Sequence, residues 1–273
     1  MEDISWKQYL RQGKLPHLWC SGCSHGIILG AVIRAMAFLN LDCTKTVVVT
    51  GIGCFGKADD YLNTHTLHGT QGRALAFASG IKAVKPELTV IALMGDGDCA
   101  SIGGNHLIHS ARRNMDITAI VANNYNYGMT GGQYSATTPI GNKTTTSYYG
   151  SPEPNFDLCN LAIGAGASFV ARGTPYYFKQ LVNFITEAIQ NKGFSFIEVL
   201  GICPTHFGRY NLKADPVYLM SWLRDHTMHI SHYNKLKEAE RGNYVPIGKL
   251  SKKNMADFNQ NYIHIQNIAQ GEV

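Results

Sequence analysis

The stretch LTVIALMGDGD, residues 88–98, decides how the chain is read. Its nearly unbroken apolar run, rich in β-forming residues, predicts a strand buried on both faces, and Gly95 closes it. Gly95-Asp96-Gly97-Asp98 then lead into a helix expected over 101–113. Glycines let backbone N–H groups approach a phosphate at a helix N-terminus, but a carboxylate there repels the phosphate unless a cation lies between them. An acidic phosphate loop therefore calls for a metal. The next expected strand, ITAIVA at 117–122, runs into Asn123 and Asn124. Asp96 and Asn124, 28 positions apart on neighbouring strand ends, offer two hard oxygen ligands to one Mg2+.

Working outward, apolar residues from Ile27 to Leu39 recur at helical spacing, with Ser24 placed as the N-cap. TKTVVVT at 44–50 reads as a strand, 73–85 as a helix stopped by Pro86, and 123–155 as a long polar loop of the kind that carries function. A helix at 156–164, a strand at 168–172, an amphipathic helix at 176–191 and a strand at 194–200 follow. Strands alternating with helices predict an α/β fold with a doubly wound, mostly parallel sheet, whose ligands sit beyond the carboxyl ends of the strands. The pattern weakens after Thr205, with a helix-like segment near 216–237 and a polar tail. Residues 1–204 are therefore expected to form the binding domain, and 205–273 a C-terminal extension that contacts a partner.

At 273 residues the chain has ample length for a buried core. Charged residues are 16% of it, against about 25% in typical domains, so part of the surface is expected to face another protein. The net charge of +5 comes without a Lys/Arg cluster, which argues against nucleic acid. The N-terminal MEDISWKQYL lacks the basic-then-apolar pattern of a leader, and no apolar run approaches a membrane span, so a soluble, cytoplasmic protein is expected.

Seven cysteines are an odd count in a chain too large to depend on disulfides, which favours thiolate chemistry or metal binding over a disulfide framework. Cys20 and Cys23 form a C-x2-C pair before the first helix, Cys54 sits in the Gly-Ile-Gly-Cys turn after the first strand, and Cys203 follows the last strand. Four thiolates near one rim of the sheet suit a structural Zn2+ or a 4Fe-4S cluster, and softness alone does not separate these. Cys43, Cys99 and Cys159 fit no pattern and read as structural thiols. His25, His106 and His109 fall on expected helices and read as packing or surface residues.

The GDG…NN pattern resembles the thiamine-diphosphate motif. That resemblance implies Mg2+ bound by Asp96, by Asn124 and by the backbone carbonyl of Asn126. The ordered set C-x2-C, GIGC, GDGD, NN, GMTGGQ and a late Cys-Pro, from about Trp19 to Thr205, resembles the beta subunits of the 2-oxoacid:ferredoxin oxidoreductases. The resemblance implies a thiamine-diphosphate-binding fold and a 4Fe-4S cluster on Cys20, Cys23, Cys54 and Cys203. It implies cofactor contacts from Ile52, Gly53, Cys54, Phe55, Gly95, Asp96, Gly97, Asp98, Asn124, Gly128, Met129 and Thr130. His68 is a further candidate contact, although Gln71 stands where the family commonly has histidine. Lys57 resembles the family lysine that faces the 2-oxoacid carboxylate.

The implied reaction is the reversible oxidative decarboxylation of a 2-oxoacid to an acyl-CoA and CO2, with electrons passing singly through the cluster to ferredoxin or flavodoxin. 2-Oxoglutarate is the favoured substrate. Thiamine enzymes also need a glutamate against the aminopyrimidine, for which 273 residues leave no domain. An alpha subunit is expected to bring it, and the chain alone is expected to be inactive. The alternative is a non-redox thiamine decarboxylase or synthase subunit with zinc or no metal at the cysteines.

Overall fold

A computed structural model describes residues 5–271, so the first four residues of the MEDISWKQYL segment lie outside the described residues. Helix α1 (His25–Phe38) precedes β1 (Thr46–Thr50) and β2 (His65–His68), followed by α2 (Ala74–Val84), β3 (Thr89–Gly95), α3 (Gly104–Arg112) and β4 (Thr118–Asn123). After the long loop come α4 (Leu158–Gly164), β5 (Phe169–Gly173), α5 (Phe178–Gln190) and β6 (Ser195–Leu200). The C-terminal part adds α6 (Phe207–Asn211), α7 (Pro216–Asp225), β7 (Thr227–His229), the short turns α8 (Ile230–Tyr233) and α9 (Glu238–Arg241), β8 (Val245–Lys252) and α10 (Phe258–Gln270).

The eight strands form one sheet in the order β2-β1-β3-β4-β6-β5-β8-β7, parallel throughout except where β5 meets β8. Alternation along each strand divides the core in two. Val48, Ile91, Leu93, Ile120 and Ile197 pack against α1 and α5, whereas Val47, Val49, Val90, Met94, Val121 and Phe196 pack against α2, α3 and α4. Because the central strands are covered on both faces, their apolar runs are continuous, which is why the sequence marks them so plainly. Parallel strands also send all their carboxyl ends to one rim, so the turns after β1, β3, β4 and β6 meet there.

Three expectations are corrected. Ser24 makes no side-chain cap on α1; its hydroxyl bonds instead to Ile202 after β6. The helix expected at 101–113 begins as a π-helical turn, Gly97–Ile102, and becomes α-helical only at Gly104. The helix-like segment near 216–237 is broken into α7, β7 and α8, because Thr227–His229 pairs with Val245–Ile247. Within residues 205–273, β8 is hydrogen-bonded to β5, and Phe207, Leu219, Leu223 and Ile247 bury a small core against Tyr125 and Cys203.

Candidate functional site

The turn after β3 carries Asp96 to a position 1% exposed, where burial pushes its carboxyl pKa up. Opposing that shift, Ser135 and Thr137 both donate hydroxyl hydrogen bonds to Asp96 Oδ2, at 2.5 and 2.6 Å. These two donors come from the long polar loop and were not picked out by sequence reasoning; nothing local marks them, since they lie 39 and 41 residues from Asp96. With Oδ2 occupied, Oδ1 is left facing Asn124.

Tyr125 adopts a left-handed backbone (φ 64°) between Asn124 and Asn126. Such strain in a bulky residue persists only where the surroundings enforce it, and here the Tyr125 ring is wedged 5.0 Å from that of Phe207. The turn sets the Asn124 amide oxygen 2.9 Å from the Asn126 carbonyl oxygen and 3.2 Å from Asp96 Oδ1. Three oxygens facing one another without a donor repel. The repulsion is relieved either by rotating the amide so that its nitrogen faces the other two, or by a cation among them. Octahedral Mg2+ with oxygens at about 2.0–2.1 Å spaces adjacent ligands by roughly 3 Å, so the three oxygens fit that ion.

Asp98 points elsewhere. Its Oδ1 accepts the backbone N–H groups of Gly72 (2.6 Å) and Ile52 (3.4 Å), which ties the Gly51–Cys54 turn to the loop after β2. Burial raises its pKa to about 6, and Oδ2 has no partner. A side chain on Gly51 would collide with that carboxylate at 2.1 Å, so glycine is required there.

One cavity gathers Ile52, Gly53, Cys54, Phe55, Gly95, Asp96, Gly97, Asp98, Asn124, Asn126, Gly128, Met129 and Thr130, together with His25, Gln71 and Tyr127. A second gathers all four candidate cysteines with Leu18, Trp19, Pro204 and His206. The two share a wall of His25, Cys54, Asn124, Gly128 and Met129. Gly128 sits at the junction, where an added methyl would stand 3.6 Å from Cys54 Sγ and 3.8 Å from Cys203 Sγ.

Burial, reinforced by the neighbouring thiols, pushes Cys23 up to about 12 and Cys54 to about 11, so both are neutral thiols until a metal displaces their protons. Among the described residues, three His, Cys, Asp or Glu ligand atoms lie within 4.8 Å of one another only at Asp157, Cys159 and Glu198. That group surrounds the buried Arg172 guanidinium and is an ion-pair network, not a metal site. The four candidate thiols are thus more widely spread than a closed zinc centre, whose sulfurs at about 2.3 Å from the ion lie under 4 Å apart.

Two expected residues lie off these cavity walls. His68 Nδ1 is within 3.0 Å of the Thr50 hydroxyl and 3.3 Å of Asp59. Lys57 Nζ stands 3.7 Å from Asp60, with both side chains partly exposed. His25, read from the sequence as a packing residue, lines both cavities instead.

Residues 43–199 match the family described as thiamine pyrophosphate enzyme, C-terminal TPP binding domain. The 2-oxoglutarate synthase subunit KorB of Methanocaldococcus jannaschii is 46% identical over 242 residues, covering 89% of this chain and 90% of that protein. KorB of Archaeoglobus fulgidus is 55% identical over 74% of this chain and 75% of its own length. Among solved structures, a chain of 2-oxoglutarate:ferredoxin oxidoreductase from Magnetococcus marinus, with 2-oxoglutarate, coenzyme A and succinyl-CoA bound, superposes with a TM-score of 0.88 at 32% identity, covering 99% of this chain and 92% of that one.

Proposed function

This chain belongs to the beta subunits of the 2-oxoacid:ferredoxin oxidoreductases and contains their thiamine pyrophosphate-binding domain, and from that premise we propose that it is the beta subunit of a 2-oxoglutarate:ferredoxin oxidoreductase. The reaction converts 2-oxoglutarate and coenzyme A to succinyl-CoA and CO2, and its electrons leave singly for ferredoxin, with flavodoxin an alternative carrier. Bound thiamine diphosphate with Mg2+ would supply the electron sink for decarboxylation, and a 4Fe-4S cluster on the cysteines would supply the one-electron acceptor.

The observation that carries the reading is the shared wall between the two cavities: the oxygen trio on one side and the four cysteines on the other meet at Cys54 and Gly128. Asp96 Oδ1, the Asn124 amide oxygen and the Asn126 carbonyl would hold the Mg2+ of the diphosphate. Asp98 keeps the Ile52–Phe55 turn against the cofactor, Gly95 keeps a side chain out of its space, and Gly97 lets the Tyr127 ring close the wall beside it. Thr130, bonded to Gln133 at 2.6 Å, sits on the same wall for the diphosphate. Cys20, Cys23, Cys54 and Cys203 would hold the cluster, and the spread of the four thiols favours it over the zinc alternative. Lys57 is the proposed cation for the substrate carboxylate. Its surface pairing with Asp60 is worth at most about 1 kcal/mol and yields readily to a better partner. His68 keeps a supporting role next to Thr50.

The glutamate for the aminopyrimidine comes from an alpha subunit, so the isolated chain is inactive. No helix among the described residues is long and apolar enough to cross a membrane, which agrees with a cytoplasmic enzyme.

The test is iron, acid-labile sulfide and thiamine content of the chain purified anaerobically with its partner. About four irons and four sulfides per chain, lost in Cys54→Ala while the fold persists, are expected. Zinc or no metal with thiamine retained would replace this reading by the non-redox decarboxylase.

A further inference from the structure

We propose that the His25 ring donates a hydrogen bond to a sulfur of the cluster held by Cys20, Cys23, Cys54 and Cys203, and thereby raises the reduction potential of that cluster. The proposal rests on the reading of these cysteines as cluster ligands.

His25 is 2% exposed, and its Nδ1 is buried without a hydrogen-bond partner in the chain. An imidazole carries at least one N–H in either protonation state, so the ring always has a donor to place. Leaving such a group unpaired costs about 1–3 kcal/mol, and native structures rarely accept that cost without a reason. A packing role alone would be met by an apolar side chain of similar size.

The surroundings say which ligand completes the ring. Trp19 packs edge-on at 5.8 Å and Phe55 at 5.2 Å, and each belongs to a turn that bears a candidate cysteine. The Trp19 indole N–H donates to the Cys54 carbonyl at 2.6 Å, locking those two turns together around the ring. His25 opens α1 two residues after Cys23, so the main chain sets the ring beside the C-x2-C pair. The ring lies on the wall common to the cysteine cavity and the Asp96 cavity. Hydrogen bonds to cluster sulfurs stabilise the reduced, more negative state and so raise the potential.

The experiment uses the anaerobically purified complex of the chain with its partner subunit. In the unaltered protein labelled with 15N-histidine, pulsed EPR of the reduced cluster should show a coupling to a ring nitrogen, and its absence overturns the proposal. His25→Phe should keep its iron while the midpoint potential falls, and His25→Gln, which retains an N–H donor, should fall less. His25→Phe with full iron and an unshifted potential overturns the proposal, as does an unshifted potential accompanied by weakened thiamine diphosphate binding, which would assign the ring to the cofactor. A complex that contains no iron at all overturns the cluster reading beneath it.

Discussion

The Ser24 hydroxyl accepts the Ile202 backbone N–H at 3.0 Å, across 178 positions of sequence. This bond pins the start of α1, one residue after Cys23, to the turn that delivers Cys203. Gly201 lies so close that an added methyl would approach the Ser24 oxygen to 2.7 Å. The spacing between the C-x2-C pair and the late cysteine is thus fixed by the polypeptide itself.

Ser24→Ala strands a fully buried N–H and should cost about 1–3 kcal/mol of stability. Because the strand ends separate, iron should also be lost faster under chelator than from the unaltered chain. Thermal denaturation and iron release measured together check both effects.

In the proposed site Thr137 would act on the Mg2+ through Asp96, whose Oδ2 accepts its hydroxyl. Thr137→Val removes one of the two hydroxyl donors on Oδ2 and should weaken Mg2+ binding by roughly 10- to 100-fold, as loss of outer hydrogen-bond partners does elsewhere. Titration of Mg2+ in the presence of thiamine diphosphate gives the readout, and melting in the absence of Mg2+ should change far less.

Glu198 holds the Arg172 guanidinium at 2.6 Å and accepts the Asn123 side-chain amide at 2.7 Å, both deep in the core. Glu198→Ala leaves a buried cation short of its main partner, a change that costs about 3–5 kcal/mol. The melting temperature should drop on the order of 10 °C.

The two glycines of the acidic turn should separate folding from binding. A methyl on Gly97 would meet the Tyr127 ring at 2.4 Å, so Gly97→Ala should destabilise the chain by about 1–3 kcal/mol. A methyl on Gly95 meets nothing within 4 Å but lies on the cavity wall. Gly95→Ala should therefore melt normally and bind thiamine diphosphate more weakly, as calorimetry would show.

The central strands were legible because burial on both faces leaves an unbroken apolar signature, and the turns that follow them could be placed at one rim from strand polarity alone. The strands at the margins were not. β2 reads HTLH and is half exposed, and β8 reads VPIGKLSK, whose Pro246 and Gly248 argue locally against a strand that tertiary pairing with β5 imposes. The same limit applied at the site. Asp96, Asn124 and the cysteines stand in short motifs, whereas Ser135 and Thr137 reach Asp96 only through the folding of a polar loop, and His25 acquires its place from Trp19 and Phe55, which other segments supply.

The four sulfurs do not meet water equally, since Cys20 is exposed, Cys23 and Cys54 are half-buried and Cys203 is buried. Reaction with dioxygen or peroxide follows access, so in the proposed cluster damage would begin at Cys20 and reach Cys203 last. How long the assembled protein survives in air is therefore set by what covers Leu18 and Cys20, more than by the strength of the sheet beneath them.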